Sequence, residues 1–334
     1  MRLVSHCLFF FFVVACGGTE APVQTLPQRA PASSPELVAA PPSGGPACFP
    51  EWARGAALLM NVRSYGDRRY VLGDDEREQG AWDMNATFRL RTAMSERGAH
   101  ITQWDFSGWS GDALAPLTHA SLYVLHRIRG IRLDAQGAVV AIDGAAEAKA
   151  EAEAVFATRE GVPAGSVQTW ELISTPEGLR GQAVQWWQLF AILSCADLDQ
   201  WSTERVVSND SAWMPGMEDV PVAVVASVEP VACPAGEEDC ERRSLGLRPD
   251  ASRTLGALRQ QFAAQGMPTD RVSAFSVRRQ AQGIFDAQGH PVELTLLNET
   301  TTVHSRPDTT ETMTQIDTDT SVYRFARLPG PTLK

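Results

Sequence analysis

Ten consecutive residues, Trp82 to Arg91, alternate without a break: Trp82, Met84, Ala86, Phe88 and Leu90 are interleaved with Asp83, Asn85, Thr87, Arg89 and Arg91. A period of two sends successive side chains to opposite faces of a pleated strand. The segment is therefore a strand with one buried face and one wet face. Ser95-Glu96-Arg97-Gly98 supplies turn chemistry, and His100 to Phe106 reads as the antiparallel partner. Ala57 to Arg63 and Arg69 to Leu72 read as earlier strands, with Gly73-Asp74-Asp75 as a turn. Together they predict an antiparallel meander.

Helical patterning appears at three places. Ala145 to Arg159 is rich in Ala and Glu, with Gly161 available to end it. A second helix starts with Thr175 as N-cap and Pro176 at its first position, where a missing amide proton costs nothing. It carries Leu179, Ala183, Trp186, Phe190 and Leu193 along one stripe. Arg253 to Ala264 is the third, with Leu255, Leu258 and Phe262 facing together and Gly266-Met267-Pro268 stopping it.

An internal repeat bears on the architecture. Leu133-Asp134-Ala135-Gln136-Gly137-Ala138-Val139 recurs as Phe285-Asp286-Ala287-Gln288-Gly289-His290-Pro291-Val292, and Tyr123, Leu125 and Arg127 match Phe275, Val277 and Arg279 at the same offset. Asp-x-x-Gly between apolar segments is a hairpin signal, because Asp hydrogen-bonds its own turn and Gly takes a positive φ. Glu293 to Tyr323 is rich in β-branched residues, is broken by Ser305-Arg306-Pro307-Asp308, and fits a second sheet. The expected fold is α+β: antiparallel sheets with covering helices, in two related, half-barrel-like sheet-plus-helix halves. In element order alone this is similar to the half-barrel of periplasmic lipoprotein carriers and related bacterial lipoproteins. That resemblance implies a concave apolar cleft able to hold acyl chains, and it carries over no site residue.

The N-terminus gives an address. Arg2 is followed by an apolar run, Leu8 to Ala15. The run is far shorter than the roughly twenty apolar residues that span a bilayer, so it reads as the core of a secretory signal. It ends on Val13-Val14-Ala15-Cys16, which resembles the lipobox of bacterial lipoproteins. In that family the cysteine is acylated and becomes the mature N-terminus, so the resemblance implies residues 1–15 as signal peptide and Cys16 as the lipidation site. Gly17 stands where an Asp would imply retention at the inner membrane, which points to the outer membrane. Several acyl chains together hold stably where one is marginal.

Residues 16–47 read as the lipidated cysteine and a disordered linker with seven prolines (Pro22, Pro27, Pro31, Pro35, Pro41, Pro42 and Pro46). Such a stretch buries too little apolar surface to offset its ordering entropy. The globular part is residues 48–328, divisible into halves 48–195 and 196–328. The chain carries a formal charge of −11 and no basic block, which argues against nucleic acid and anionic surfaces. Outside the cytoplasm Cys48, Cys195, Cys233 and Cys240 are an even set suited to disulfides. Three pairings are open; Cys233 with Cys240 across a polar turn, leaving Cys48 with Cys195, is the cheapest.

Motifs for chemistry are scarce. There is no Gly-x-Gly-x-x-Gly, no Gly-Lys-Ser/Thr loop and no His-Glu-x-x-His. Gly108-Trp109-Ser110-Gly111 lacks the spacing of a nucleophile elbow, and His119 and His126 read as ordinary polar positions. Asp317 and Asp319 share one face of a strand, but no Asp-x-Asp-x-Asp-Gly calcium loop is present. Arg127 and Arg279, at equivalent repeat positions, are candidates to clamp a carboxylate or phosphate from inside a sheet. Trp186-Trp187 cannot both face one core, so one is a candidate to line an apolar groove or interface. No catalytic residue, metal or cofactor is assigned. The expectation is a membrane-anchored protein of non-enzymatic type that binds an apolar small molecule or an envelope protein. An envelope hydrolase and a structural spacer are the alternatives.

Overall fold

The computed structural model describes residues 57–73, 75–95, 98–104, 110–111, 130–134, 139–147, 150, 187, 192–194, 198–207, 220–234, 239–264, 269–270, 272–305 and 311–328. They form one antiparallel sheet of 12 strands. In chain order these are β1 (Ala57–Leu72), β2 (Asp75–Ser95), β3 (Gly98–Trp104), β4 (Ser110–Gly111), β5 (Gly130–Asp134), β6 (Val139–Asp143), β7 (Arg205–Val207), β8 (Val222–Val231), β9 (Cys240–Pro249), β10 (Val272–Phe285), β11 (Pro291–Ser305) and β12 (Thr312–Arg327). Their spatial order is β6-β5-β3-β2-β1-β12-β11-β10-β9-β8-β7, with β4 against β2 off this path.

This overturns the α+β expectation of two half-barrel-like sheet-plus-helix units. β1 and β12 pair in unbroken register from Leu58↔Arg327 to Leu72↔Met313, so what read as two sheets is one. Strands pair between segments at opposite ends of the chain, and no local pattern announces such a contact. The ladder ends where the Leu328 amide donates to the Ala57 carbonyl. Among the described residues one long helix, α1 (Ala251–Ala264), packs against β10. Asp250 caps it by accepting the Arg253 amide at 2.8 Å and the Ser252 hydroxyl at 2.7 Å, the role of an N-cap. Of the other two expected helices, residues 145–147, 150, 187 and 192–194 are helical and the rest lie outside the described residues.

Several local readings stand. The alternation in β2 buries Met84, Ala86 and Leu90 while Asn85, Arg89 and Arg91 stay exposed. β3 is its antiparallel partner. β1 runs through what read as two strands and turns at Gly73, whose φ is 61°. Both repeat segments are hairpins of the same sheet, β5–β6 and β10–β11. In the second, Asp286 accepts the Gln288 and His290 amides at 2.9 and 2.8 Å, and Gly289 takes φ 75°.

The face that carries the core, here the inner face, holds Leu58, Met60, Val62, Ala86, Leu245, Leu247, Val222 and Val224, with Trp187 and Leu193 packed among them. Burying each large side chain contributes about 1.5–3 kcal/mol. Arg243 fastens the helical stretch to the sheet by donating to the Leu193 and Ser194 carbonyls, both at 3.0 Å. Its guanidinium also lies 4.9 Å from the Phe285 ring centroid.

Candidate functional site

The inner face is not apolar throughout. Cross-strand register assembles a row running Gly66, Asp319, Asn298, Arg279, Leu247 and Val224 across six neighbouring strands. One pleat away, Arg68 faces Asp317, and on the other side Ser64 faces Ser321. Arg68 Nε lies 2.6 Å from Asp317 Oδ1, while Gln315 Nε2 donates to Asp317 Oδ2 at 2.6 Å. The two serine hydroxyls are 3.1 Å apart. This polar lane occupies the middle of a core, with Arg279, Asp317 and Asp319 each no more than 5% exposed.

Burial sets the electrostatics of the lane. Desolvation pushes the Asp319 carboxyl up to about 7, against the opposing pull of an Asn298 hydrogen bond and the Arg279 charge. It likewise lowers Arg279 to about 9, opposed by Asp319. Asp317 is raised by burial despite Arg68 and Gln315. His304 is held below its ordinary value by burial, with Gln315 pulling the other way. Among the described residues the Thr302 hydroxyl, fully buried, and His304 Nε2 have no hydrogen-bond partner. Arg68, 14% exposed, and buried Arg279 thus stand against two buried aspartates. Such charges compensate one another at a desolvation cost.

Two open concavities among the described residues lie on the opposite, outer face. One groove of about 410 Å³ crosses β8 to β12, lined by Val225, Gly246, Gln280, Leu297 and Thr320 among others. Gly246 forms its floor, where an added Cβ would stand 3.2 Å from Val225 Cγ1. A second, of about 480 Å³, lies beside the start of α1 and is edged by Glu204, Arg248, Arg278, Glu299 and Asp250. Five large apolar side chains stay exposed among the described residues, and Val206 (64%), Val225 (41%) and Val228 (38%) all lie at the β7–β8 edge.

The sequence candidates fall out unevenly. Cys233 and Cys240 form a disulfide closing the β8–β9 tip. Cys16, Cys48, Arg127, Trp186 and Cys195 lie outside the described residues, so the second pairing and the paired-arginine clamp do too. Trp187 is 1% exposed and packs in the core. Arg279 does point into the sheet's inner face, and Asp317 and Asp319 do share one face of β12. Among the described residues no three His, Cys, Asp or Glu side chains stand close enough to hold a metal. Sequence reading missed Arg68, Asn298, Thr302 and Gln315. The one local hint is a charged Asp-x-Asp inside a Thr-rich strand; Arg68 joins it only through the β1–β12 register.

No protein-family model matches this chain, and no characterised protein resembles it significantly.

Proposed function

We propose that this chain is an exported, lipid-anchored envelope protein that works by binding, taking an apolar ligand or a protein partner on the outer face of its sheet. One observation carries the reading: the 410 Å³ groove is lined by the exposed Val225 together with Leu297 and Gly246. Apolar side chains rimmed by polar ones on an open surface mark interaction sites. The export half rests on the signal core, on the lipobox-like Val13-Val14-Ala15-Cys16 and on the proline-rich stalk. The Cys233–Cys240 bridge agrees with an oxidising compartment, and Gly17 favours the outer membrane. Binding ranks above hydrolysis because the carboxylates Asp317 and Asp319 are each only 4% exposed. Catalytic acids and bases have to reach substrate.

The test has two arms. Cys16→Ser should move the protein from the membrane to the soluble fraction, and the native chain should carry fatty acid by mass spectrometry. Purified protein should retain a co-purifying ligand or partner that Val225→Glu with Leu297→Glu releases. A chain that fractionates with the envelope unchanged defeats the anchoring half. Undiminished capture by the double variant defeats the outer-face half. Turnover of an envelope polymer would favour a hydrolase, and loss of no ligand or partner at all would favour a spacer.

A further inference from the structure

We infer that the outer-face groove takes an uncharged, unbranched oligosaccharide, laid across the strands from β8 toward β1. This rests on the binding reading above and names the ligand's class: the apolar contact is made by the C–H faces of sugar rings. Two rows of facing residues cross the sheet here. The first runs Val225, Gly246, Gln280, Leu297, Thr320 and Tyr65. The second, one pleat away, runs Ser227, Ser244, Gln282, Thr295 and Val322. All but Tyr65 and Val322 line the groove of about 410 Å³. Side chains able to hydrogen-bond recur along the whole length, between small or apolar ones, and none is charged.

Charge flanks the two rows and, among the described residues, is matched within the protein. On one side Arg242 pairs with Glu229 and Arg324 with Glu293, both at 2.9 Å. On the other Arg248 pairs with Glu204, and Arg278 stands opposite Glu299. At the β1 end Arg63 holds Asp83 at 2.6 Å. A charged ligand lying in the rows would lose water and gain no counter-ion. A hydrocarbon would cover Gln280, Gln282 and the hydroxyls without replacing their hydrogen bonds to water, at a cost for each group. A ligand polar at one end only would do the same along its tail. A sugar chain carries hydroxyls along its entire length with apolar C–H faces between them, so it answers both halves of the pattern. Size points the same way. Five strand spacings make the patch about 24 Å long and two rows make it about 14 Å wide. That is about 340 Å², well under the roughly 800 Å² that each side of a standard protein interface buries.

The experiment uses the full chain carrying Cys16→Ser, three neutral hexasaccharides (maltohexaose, cellohexaose and laminarihexaose) and a charged one, hexagalacturonate. Binding is read by calorimetry and by the side-chain amide resonances of Gln280 and Gln282. At least one neutral hexamer should bind and shift both resonances, its trimer should bind more weakly, and hexagalacturonate should not bind. Gln280→Ala with Gln282→Ala, both at partly exposed positions, should weaken the neutral sugar at least about tenfold, the scale of two lost hydrogen bonds, and should melt with the parent. Equal binding of the charged hexamer, or a neutral one held undiminished by the double variant, would overturn the inference. If no neutral sugar binds while the uncharged dye Nile red does, and Val225→Glu with Leu297→Glu releases the dye, the oligosaccharide fails and the binding reading stands. If neither sugar nor dye binds, the inference fails and the apolar-ligand arm of that reading falls with it.

Discussion

Arg68 and Asp317 stand directly opposite each other in the β1–β12 ladder, with Nε 2.6 Å from Oδ1 and side-chain exposures of 14% and 4%. The pair bridges segments from the two ends of the described chain and sits at the join that makes one sheet of two. Removing one member of a buried pair leaves the other charge uncompensated, which typically costs about 3–5 kcal/mol. Asp317→Leu should therefore lower the urea midpoint by an amount equivalent to about 3 kcal/mol, the low end because Arg68 keeps some water contact. The double variant Arg68→Met with Asp317→Leu should recover most of that loss. A single variant as stable as the parent would show that solvent already screens the pair.

The pH dependence of stability has a sign fixed by Asp319. Its carboxyl titrates near 7 in the folded chain against an ordinary 3.8. Between those values the folded form keeps a proton that the unfolded form has released, so stability falls as pH rises and levels off above about 7. Asp317, raised by burial, acts in the same sense. His304, lowered by burial, acts in the opposite sense below its ordinary 6.5. Arg279, lowered to about 9, returns stability only as pH climbs beyond that value. The difference between parent and Asp319→Asn isolates the carboxyl. Melting temperatures from pH 5 to 8 should fall more steeply for the parent than for the variant. Parallel curves would mean that Asp319 is ionised throughout.

What could be read from the sequence was local. The period of two in β2, the Asp-x-x-Gly hairpin at Asp286 and the end of β11 near Ser305 each rest on contacts between neighbours in the chain, and each was visible. The helix at Ala251–Ala264 was legible too, apart from its true cap at Asp250. The sheet's unity was not, because β1 meets β12 through pairs such as Ser64 with Ser321, and two serines announce nothing. The candidate lane was half visible. Asp317 and Asp319 alternate correctly for one face, but the residues that answer them, Arg68 and Arg279, come from strands far off in sequence.

Two glycines with left-handed φ should respond very differently to alanine. Gly98, at φ 140°, opens β3 so close to β5 that a Cβ would lie 2.0 Å from the Leu133 carbonyl oxygen, and backbone cannot yield as a side chain can. Gly73, at φ 61°, has nothing within 4 Å of that position. Gly73→Ala should cost only the conformational strain, about 1–2 kcal/mol. Gly98→Ala should exceed it clearly and separate β3 from β5, read as faster amide exchange at Ile101 and Ile131. Equal losses in denaturant midpoint would count against the close approach.

The Cys233–Cys240 bridge spans a sequence separation of seven, at the tip joining β8 to β9. Closing so small a loop restricts the unfolded chain by about 2.5 kcal/mol on the chain-entropy account, less than a long-range bridge would. Cys240 is 3% exposed and Cys233 8%, so alanine is the gentler replacement. Cys233→Ala with Cys240→Ala should lower stability by roughly that amount while β8–β9 pairing survives, because the ladder from Val222↔Pro249 to Val231↔Cys240 runs the length of both strands. Reducing agent should bring the parent down toward the variant and leave the variant unmoved.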